Sequence, residues 1–230
     1  MRYNGIIKKL ESLSNLEAVR GMARFGINPE CTYGVSIPDL RKMAKETGRD
    51  HALAQQLWAS GIHEARILAS MAAEPETVTD VQMENWVKDF DSWDVCDQCC
   101  MNLFEKTDLA YQKAAEWSKS DKEFIKRAGF VLMARLAVSD KKADDAPFET
   151  FLPVIKREAG DNRNFVKKAV NWALRQIGKR NLHLNKMAIK AAEEIQQTGS
   201  RSAKWIAADT IRELTSEAVQ KRLANKIIRI

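Results

Sequence analysis

At 230 residues, the chain is long enough for one large domain with a substantial core, and no stretch marks a second independent unit. Hydrophobic residues make up 45% and charged residues 30%, which excludes a disordered chain; apolar runs too short to span a bilayer and an N-terminus, Met1-Arg2-Tyr3-Asn4-Gly5, that leads into no signal-peptide core point to a cytoplasmic protein. The formal charge of +6, from 37 Lys and Arg against 31 Asp and Glu, favours an anionic partner, nucleic acid first among them.

Helical periodicity runs through almost the whole chain, and strand alternation is nearly absent. The 10 Gly and 5 Pro fall at helix ends. The pattern predicts helices at 4–12, 15–25, 37–47, 51–60, 63–73, 79–90, 92–106, 108–119, 122–138, 147–158, 163–179, 184–198, 201–214 and 217–228. Ile27 to Ser36 and Asp140 to Pro147 are expected as inter-helix loops. Phe124-Ile125-Lys126-Arg127-Ala128 recurs as Phe165-Val166-Lys167-Lys168-Ala169, with a looser third copy at Ala203-Lys204-Trp205-Ile206-Ala207. That spacing suits paired-helix repeats of the HEAT type. The expected fold is therefore all-α, an α-solenoid over residues 1–230 with a concave, basic DNA-binding face.

The stretch Asp91-Ser92-Trp93-Asp94-Val95-Cys96-Asp97-Gln98-Cys99-Cys100 stands out. Residues four apart lie on one helix face, so Trp93 and Asp97 form a stacked aromatic and carboxylate pair. Val95, Cys96, Cys99 and Leu103 face the core, with Phe104 along the edge beside Trp93 and Asp97. The cysteine cluster invites a metal reading. Zinc, however, needs four tetrahedral ligands, and no histidine or fourth cysteine lies near enough in sequence to complete a set, so no metal or cofactor is expected. Histidines 51, 63 and 183 are isolated and carry no assigned role. Trp58, Trp86, Trp117 and Trp205 lie beside apolar stripes and read as structural.

In the second repeat copy, Val166, Ala169, Val170, Ala173 and Ile177 make a buried stripe. Lys168, Trp172, Arg175 and Lys179 fall together on the other side. A tryptophan among cations suits contact with phosphate and sugar, although the same composition also suits an aromatic packed beneath a neighbouring repeat with basic stems laid over it. The C-terminal run Lys221 to Arg229 reads as an amphipathic capping helix.

Taken in order, Trp93-Asp94-Val95-Cys96-Asp97, Phe124-Ile125-Lys126-Arg127-Ala128 and Phe165-Val166-Lys167-Lys168-Ala169-Val170-Asn171-Trp172-Ala173-Leu174-Arg175 resemble the AlkD family of bacterial DNA glycosylases, which are built of HEAT-like repeats. Met22-Ala23-Arg24-Phe25 and Ile37-Pro38-Asp39-Leu40-Arg41-Lys42 are similar to that family's first repeats. The resemblance runs from about residue 20 to about residue 180. It implies excision of N3- and N7-alkylated purines from duplex DNA by a monomer in the bacterial cytoplasm and nucleoid. It also implies that Asp97 is the catalytic carboxylate and that Trp93 and Trp172 contact the deoxyribose. Arg127 would hold the backbone near the lesion, with Arg175 and Lys168 as further basic residues of the cleft. Phe25 matches a position where the family commonly has tyrosine. Relatives of this fold also include proteins that bind DNA without catalysis, so a non-catalytic reader of distorted or branched DNA is the alternative. A protein-binding repeat scaffold is a third reading, one that salt-dependent DNA affinity would exclude.

Overall fold

In the computed structural model, which describes residues 2–227, the chain is all-α, and no strand occurs among the described residues. All fourteen expected helices form: α1 (Tyr3–Ser12), α2 (Leu16–Arg24), α3 (Ile37–Thr47), α4 (His51–Ala59), α5 (His63–Ala72), α6 (Asp80–Lys88), α7 (Trp93–Asn102), α8 (Ala110–Trp117), α9 (Glu123–Ser139), α10 (Ala146–Glu158), α11 (Asn164–Gly178), α12 (Leu182–Gln196), α13 (Arg201–Leu214) and α14 (Glu217–Ile227). Their starts follow local chemistry. Asn15, Ser36, Asp50, Thr79, Asn181 and Ser200 each accept a hydrogen bond from the backbone N–H three residues on, satisfying a donor that the helix itself cannot. Pro147, expected at the boundary between loop and helix, lies in the first turn of α10, where its missing N–H is harmless. Residues 228–230, the end of the expected capping helix, lie outside the described residues.

The helix expected over 92–106 is two elements. α7 stops at Asn102, Leu103 takes a non-helical conformation (φ −128°, ψ −65°), and Phe104–Lys106 forms a single 3-10 turn. The break turns Phe104 inward, so this residue, expected on the helix edge, is fully buried against Trp86 and Phe90. A second 3-10 turn, Pro75–Thr77, precedes α6.

The chain divides into two compact units, Met1–Leu109 and Ala110–Ile230. In the first, α5 packs between α3 and α7, with α4 paired against it and α1 resting on α4 and α5. Trp58 of α4 and Trp86 of α6 stack in parallel, centroids 4.0 Å apart, and the Trp58 indole N–H donates to Asp89 (2.8 Å). In the second unit, α9, α11 and α13 form one layer, while α8, α10 and α12 form the other. This is the two-layer arrangement of HEAT-like helix pairs. The sequence echo has a structural counterpart, since Phe124 meets Phe165 across α9 and α11 with centroids 5.6 Å apart. The units differ sharply in charge: residues 110–230 hold 25 Lys and Arg against 14 Asp and Glu, whereas residues 1–109 hold 12 against 17.

Close helix approach in the second unit needs Gly129, where an added Cβ would overlap the backbone N and Cα of Ser118. Because that neighbour is backbone rather than a flexible side chain, Gly129→Ala is expected to destabilise the protein by about 1–3 kcal/mol. Gly160, with open space around it, is the control. Thermal unfolding of the two alanine variants tests this, and an unchanged midpoint for Gly129→Ala would show that the α8–α9 approach is not limiting.

Candidate nucleic-acid interface

The candidate residues divide between the units. Trp93, Asp97 and Phe25 belong to the first, while Arg127, Lys168, Trp172 and Arg175 belong to the second.

In the first unit, α7 buries Val95, Cys96, Cys99 and Cys100 completely, as the stripe predicts. Trp93 and Asp97 lie off that stripe and are only half-buried. The tryptophan is not left to rotate: its indole N–H donates to the Phe25 carbonyl (3.1 Å), and the Phe25 ring is 73% exposed. The start of α7 is stapled to the same loop. Ser92 accepts from the Asn28 N–H (3.0 Å), and the Asn28 amide donates to Asp91 (2.8 Å).

Behind these contacts lies a buried polar cluster that sequence reading missed. Glu64, 1% exposed, accepts from the backbone N–H groups of Tyr33, Gly34 and Val35. His63, next to it, donates its backbone N–H to Cys31 (2.9 Å), while its ring nitrogen lies 2.9 Å from Asp94 on α7. Residues 25–36 are therefore an ordered loop held at several points. The pairs that hold it lie between 29 and 68 residues apart, so local periodicity carries no sign of them.

In the second unit, the predicted stripe of α11 is buried and its other face carries Trp172, half-buried, and Lys168, exposed. Arg175 and Lys179 are less available than the local pattern implies. Arg175 pairs with Glu213 and approaches Asp209 (3.7 Å), and Lys179 pairs with Glu213 (2.5 Å). Their partners are on α13, out of reach of a reading based on one helix. Arg127 is buried at 6% exposure and donates to the Phe165 carbonyl (2.7 Å), tying α9 to the start of α11. Next to it, buried Lys126 holds Glu158 (2.7 Å) and Asp161 (3.5 Å). Asn171, also unforeseen, is buried between α11 and α13, donating to Asp209 (2.7 Å) and accepting from Thr210 (3.1 Å). Trp58, Trp86 and Trp117 are buried as expected. Trp205 is 41% exposed with the Lys167 ammonium 5.0 Å from its ring, because it points off the buried Ala203, Ile206, Ala207 and Thr210 stripe of α13.

Among the described residues, no group of three or more His, Cys, Asp and Glu side chains is arranged to hold a metal ion. Burial pushes the Cys99 and Cys100 thiols well above their ordinary pKa, with neighbouring Cys96 adding to the effect, so neither is poised as a thiolate ligand or nucleophile. No helix among the described residues is long and apolar enough to cross a membrane.

All-α helix pairs packed in two layers place the chain in the class of HEAT-like repeat folds. The model of the family described as DNA alkylation repair enzyme matches residues 6–221, and the chain belongs to that family. It is similar to the uncharacterized proteins Lin0241 of Listeria innocua and Lmo0209 of Listeria monocytogenes, each 24% identical over 197 residues that cover 84% of this chain and 86% of the relative. Among solved structures it resembles one reported under the description "A new family of proteins related to the HEAT-like repeat DNA glycosylases with affinity for branched DNA structures". That match has a TM-score of 0.77 and 18% identity, covering 93% of this chain and 95% of the other, and it extends to the fold.

The His63–Asp94 pair has a definite pH signature. Burial disfavours the charged ring, but the hydrogen bond and charge of Asp94, aided by Glu64 and Asp91, outweigh it and raise the His63 pKa above 6.5. A raised folded-state pKa means that the stabilisation is fully present below about pH 6.5 and is lost as pH climbs through the higher value. Asp94→Asn is accordingly expected to lower unfolding stability by about 2 kcal/mol near pH 6, with a smaller deficit near pH 9. Urea unfolding across that range is the measurement; a deficit independent of pH would remove the charged pair from the account.

Proposed function

We propose that this protein is a DNA glycosylase that hydrolyses the N-glycosidic bond of N3- or N7-alkylated purines in duplex DNA. The observation that carries this reading is the pair on α7: Trp93 and Asp97 share a face outside the buried stripe, and the Trp93 ring is fixed by the Phe25 carbonyl. Membership of a family described as DNA alkylation repair enzymes supports it.

The chemistry needs few groups. An alkylated purine is cationic and leaves as a neutral base, so no general acid has to protonate it. The remaining demand is to stabilise positive charge growing on the sugar in an oxocarbenium-like transition state. In this reading the Asp97 carboxylate meets that charge and orients the attacking water. The Trp93 face attracts the partly positive sugar edge more strongly as charge develops, which is preferential binding of the transition state, and Trp172 offers a face of the same chemistry within its own unit. Lys168 supplies an exposed cation for phosphate, and Arg175 is aligned beside it by Glu213. Arg127 contributes by holding α9 to the residue that starts the Trp172 helix face. Selection is then chemical, resting on the lability of the alkylated base rather than on a flipped-out base in a deep pocket.

The second reading is a non-catalytic protein that binds distorted or branched DNA, and the fold neighbour described as having affinity for branched DNA structures favours it. Release of base from a duplex carrying one 7-methylguanine separates the two. Asp97→Asn is expected to slow single-turnover excision by about 2–4 kcal/mol of barrier while DNA affinity is largely kept. Unchanged excision in the variant would remove Asp97 as catalyst, and tight binding without release by the wild type would establish the second reading.

A further inference from the structure

Within the C-terminal unit, a cavity of about 470 Å³ opens at the C-terminal ends of α9 and α11, with α14 contributing one wall. Its lining includes Lys141, Lys179, Arg180 and Arg222, with the amides of Gln176 and Asn181 between them, and among the described residues no carboxylate-bearing side chain lines it. Four cations around one opening, with room for roughly fifteen waters, form a site for an oxygen-rich anion.

The neighbouring acids are engaged elsewhere. Asp140, beside Lys141 in sequence, turns its carboxylate to the Tyr111 hydroxyl (3.0 Å) and to the N–H groups of Lys142 and Ala143. Asp145 accepts the Asn181 amide (2.7 Å). The cations are not equivalent. Arg180 straps the 137–143 corner by donating to the carbonyls of Ala137, Asp140 and Ala143, its guanidinium stacked 4.2 Å over Phe148. Lys179 is partly neutralised by Glu213. Among the described residues, Arg222 donates to the neutral Lys179 carbonyl (3.2 Å) and pairs with no carboxylate, and the exposed Lys141 ammonium meets none either. The helix C-termini add negative dipole, so the cations first offset that field, and Lys141 and Arg222 supply the surplus.

Position indicates which anion. Lys179 caps the helix that carries Trp172, two turns further along the same face, which places the cavity about 10 Å from the tryptophan along α11. At about 3.4 Å of helix axis per phosphate of one strand, that distance spans about three nucleotide steps of DNA. We propose that this cavity seats a backbone phosphodiester of DNA beyond the nucleotide at Trp172, so that the DNA footprint extends to the α9 and α11 C-termini. The assignment rests on the DNA-binding reading above.

The test is fluorescence anisotropy of wild type, Lys141→Gln, Arg222→Gln and the exposed control Lys186→Gln on an unmodified duplex, across a series of salt concentrations. Each cavity substitution is expected to weaken binding roughly three- to tenfold and to flatten the slope of log affinity against log salt by about 0.9, while Lys186→Gln changes neither. Wild-type binding with unchanged slopes in both cavity variants would overturn the site while leaving the DNA-binding reading standing. Absence of any salt-sensitive binding by the wild type would overturn both. Saturable binding of inorganic phosphate alone, lost in Lys141→Gln and Arg222→Gln with DNA affinity untouched, would make the cavity a small-anion site and overturn its nucleic-acid role.

Discussion

The N-terminal unit depends on one buried carboxylate. Glu64 is nearly inaccessible to water, and its charge is tolerated because three successive backbone N–H groups, from Tyr33, Gly34 and Val35, converge on it. Three donors on one anion demand a tight, unusual backbone path, in which Cys31 has φ 52° and Gly34 φ 78°. Gly34 is also required sterically, since a Cβ there would overlap the Asn15 carbonyl. With the loop so fixed, Asn28 and Phe25 are presented to the start of α7, and the Trp93 indole finds its acceptor. The orientation of the half-buried Trp93 is thus set through a loop that a buried carboxylate holds in place.

The C-terminal unit uses a different device, repeated from helix to helix within one layer. Arg127 reaches a carbonyl of α11, Asn171 reaches Asp209 of α13, and Arg175 reaches Glu213 one turn further on. Each of these ties spans 38 residues, the length of one helix pair. Apolar stripes make the helices stack, and these polar links choose the register in which they do so.

Helix existence was legible along the chain because the helices carry their own apolar stripes and six of them a recognisable cap. What could not be read locally is what tertiary partners decide. The break at Leu103 follows from Phe104 joining the aromatic cluster of Trp86 and Phe90, a packing gain that local periodicity does not contain. His63 looked isolated because its partner, Asp94, lies on another helix. Arg175 and Lys179 looked like cations presented for a ligand because the α13 carboxylates that hold them are far along the chain. The pair Trp93 and Asp97 was visible because its whole signal, two residues four apart beside a buried stripe, fits within one helix.

The uneven charge of the two halves bears on the order of events in time. Residues 110–230 carry a surplus of 11 positive charges and residues 1–109 a surplus of 5 negative ones. Any polyanion diffusing toward the protein feels attraction to one half and repulsion from the other, so first capture falls to the basic half at low ionic strength. Under the proposed function, engagement of α7 is then an intramolecular second step, governed by local concentration rather than by diffusion. Raising the salt flattens both fields, so capture slows and the bias in the order of arrival fades.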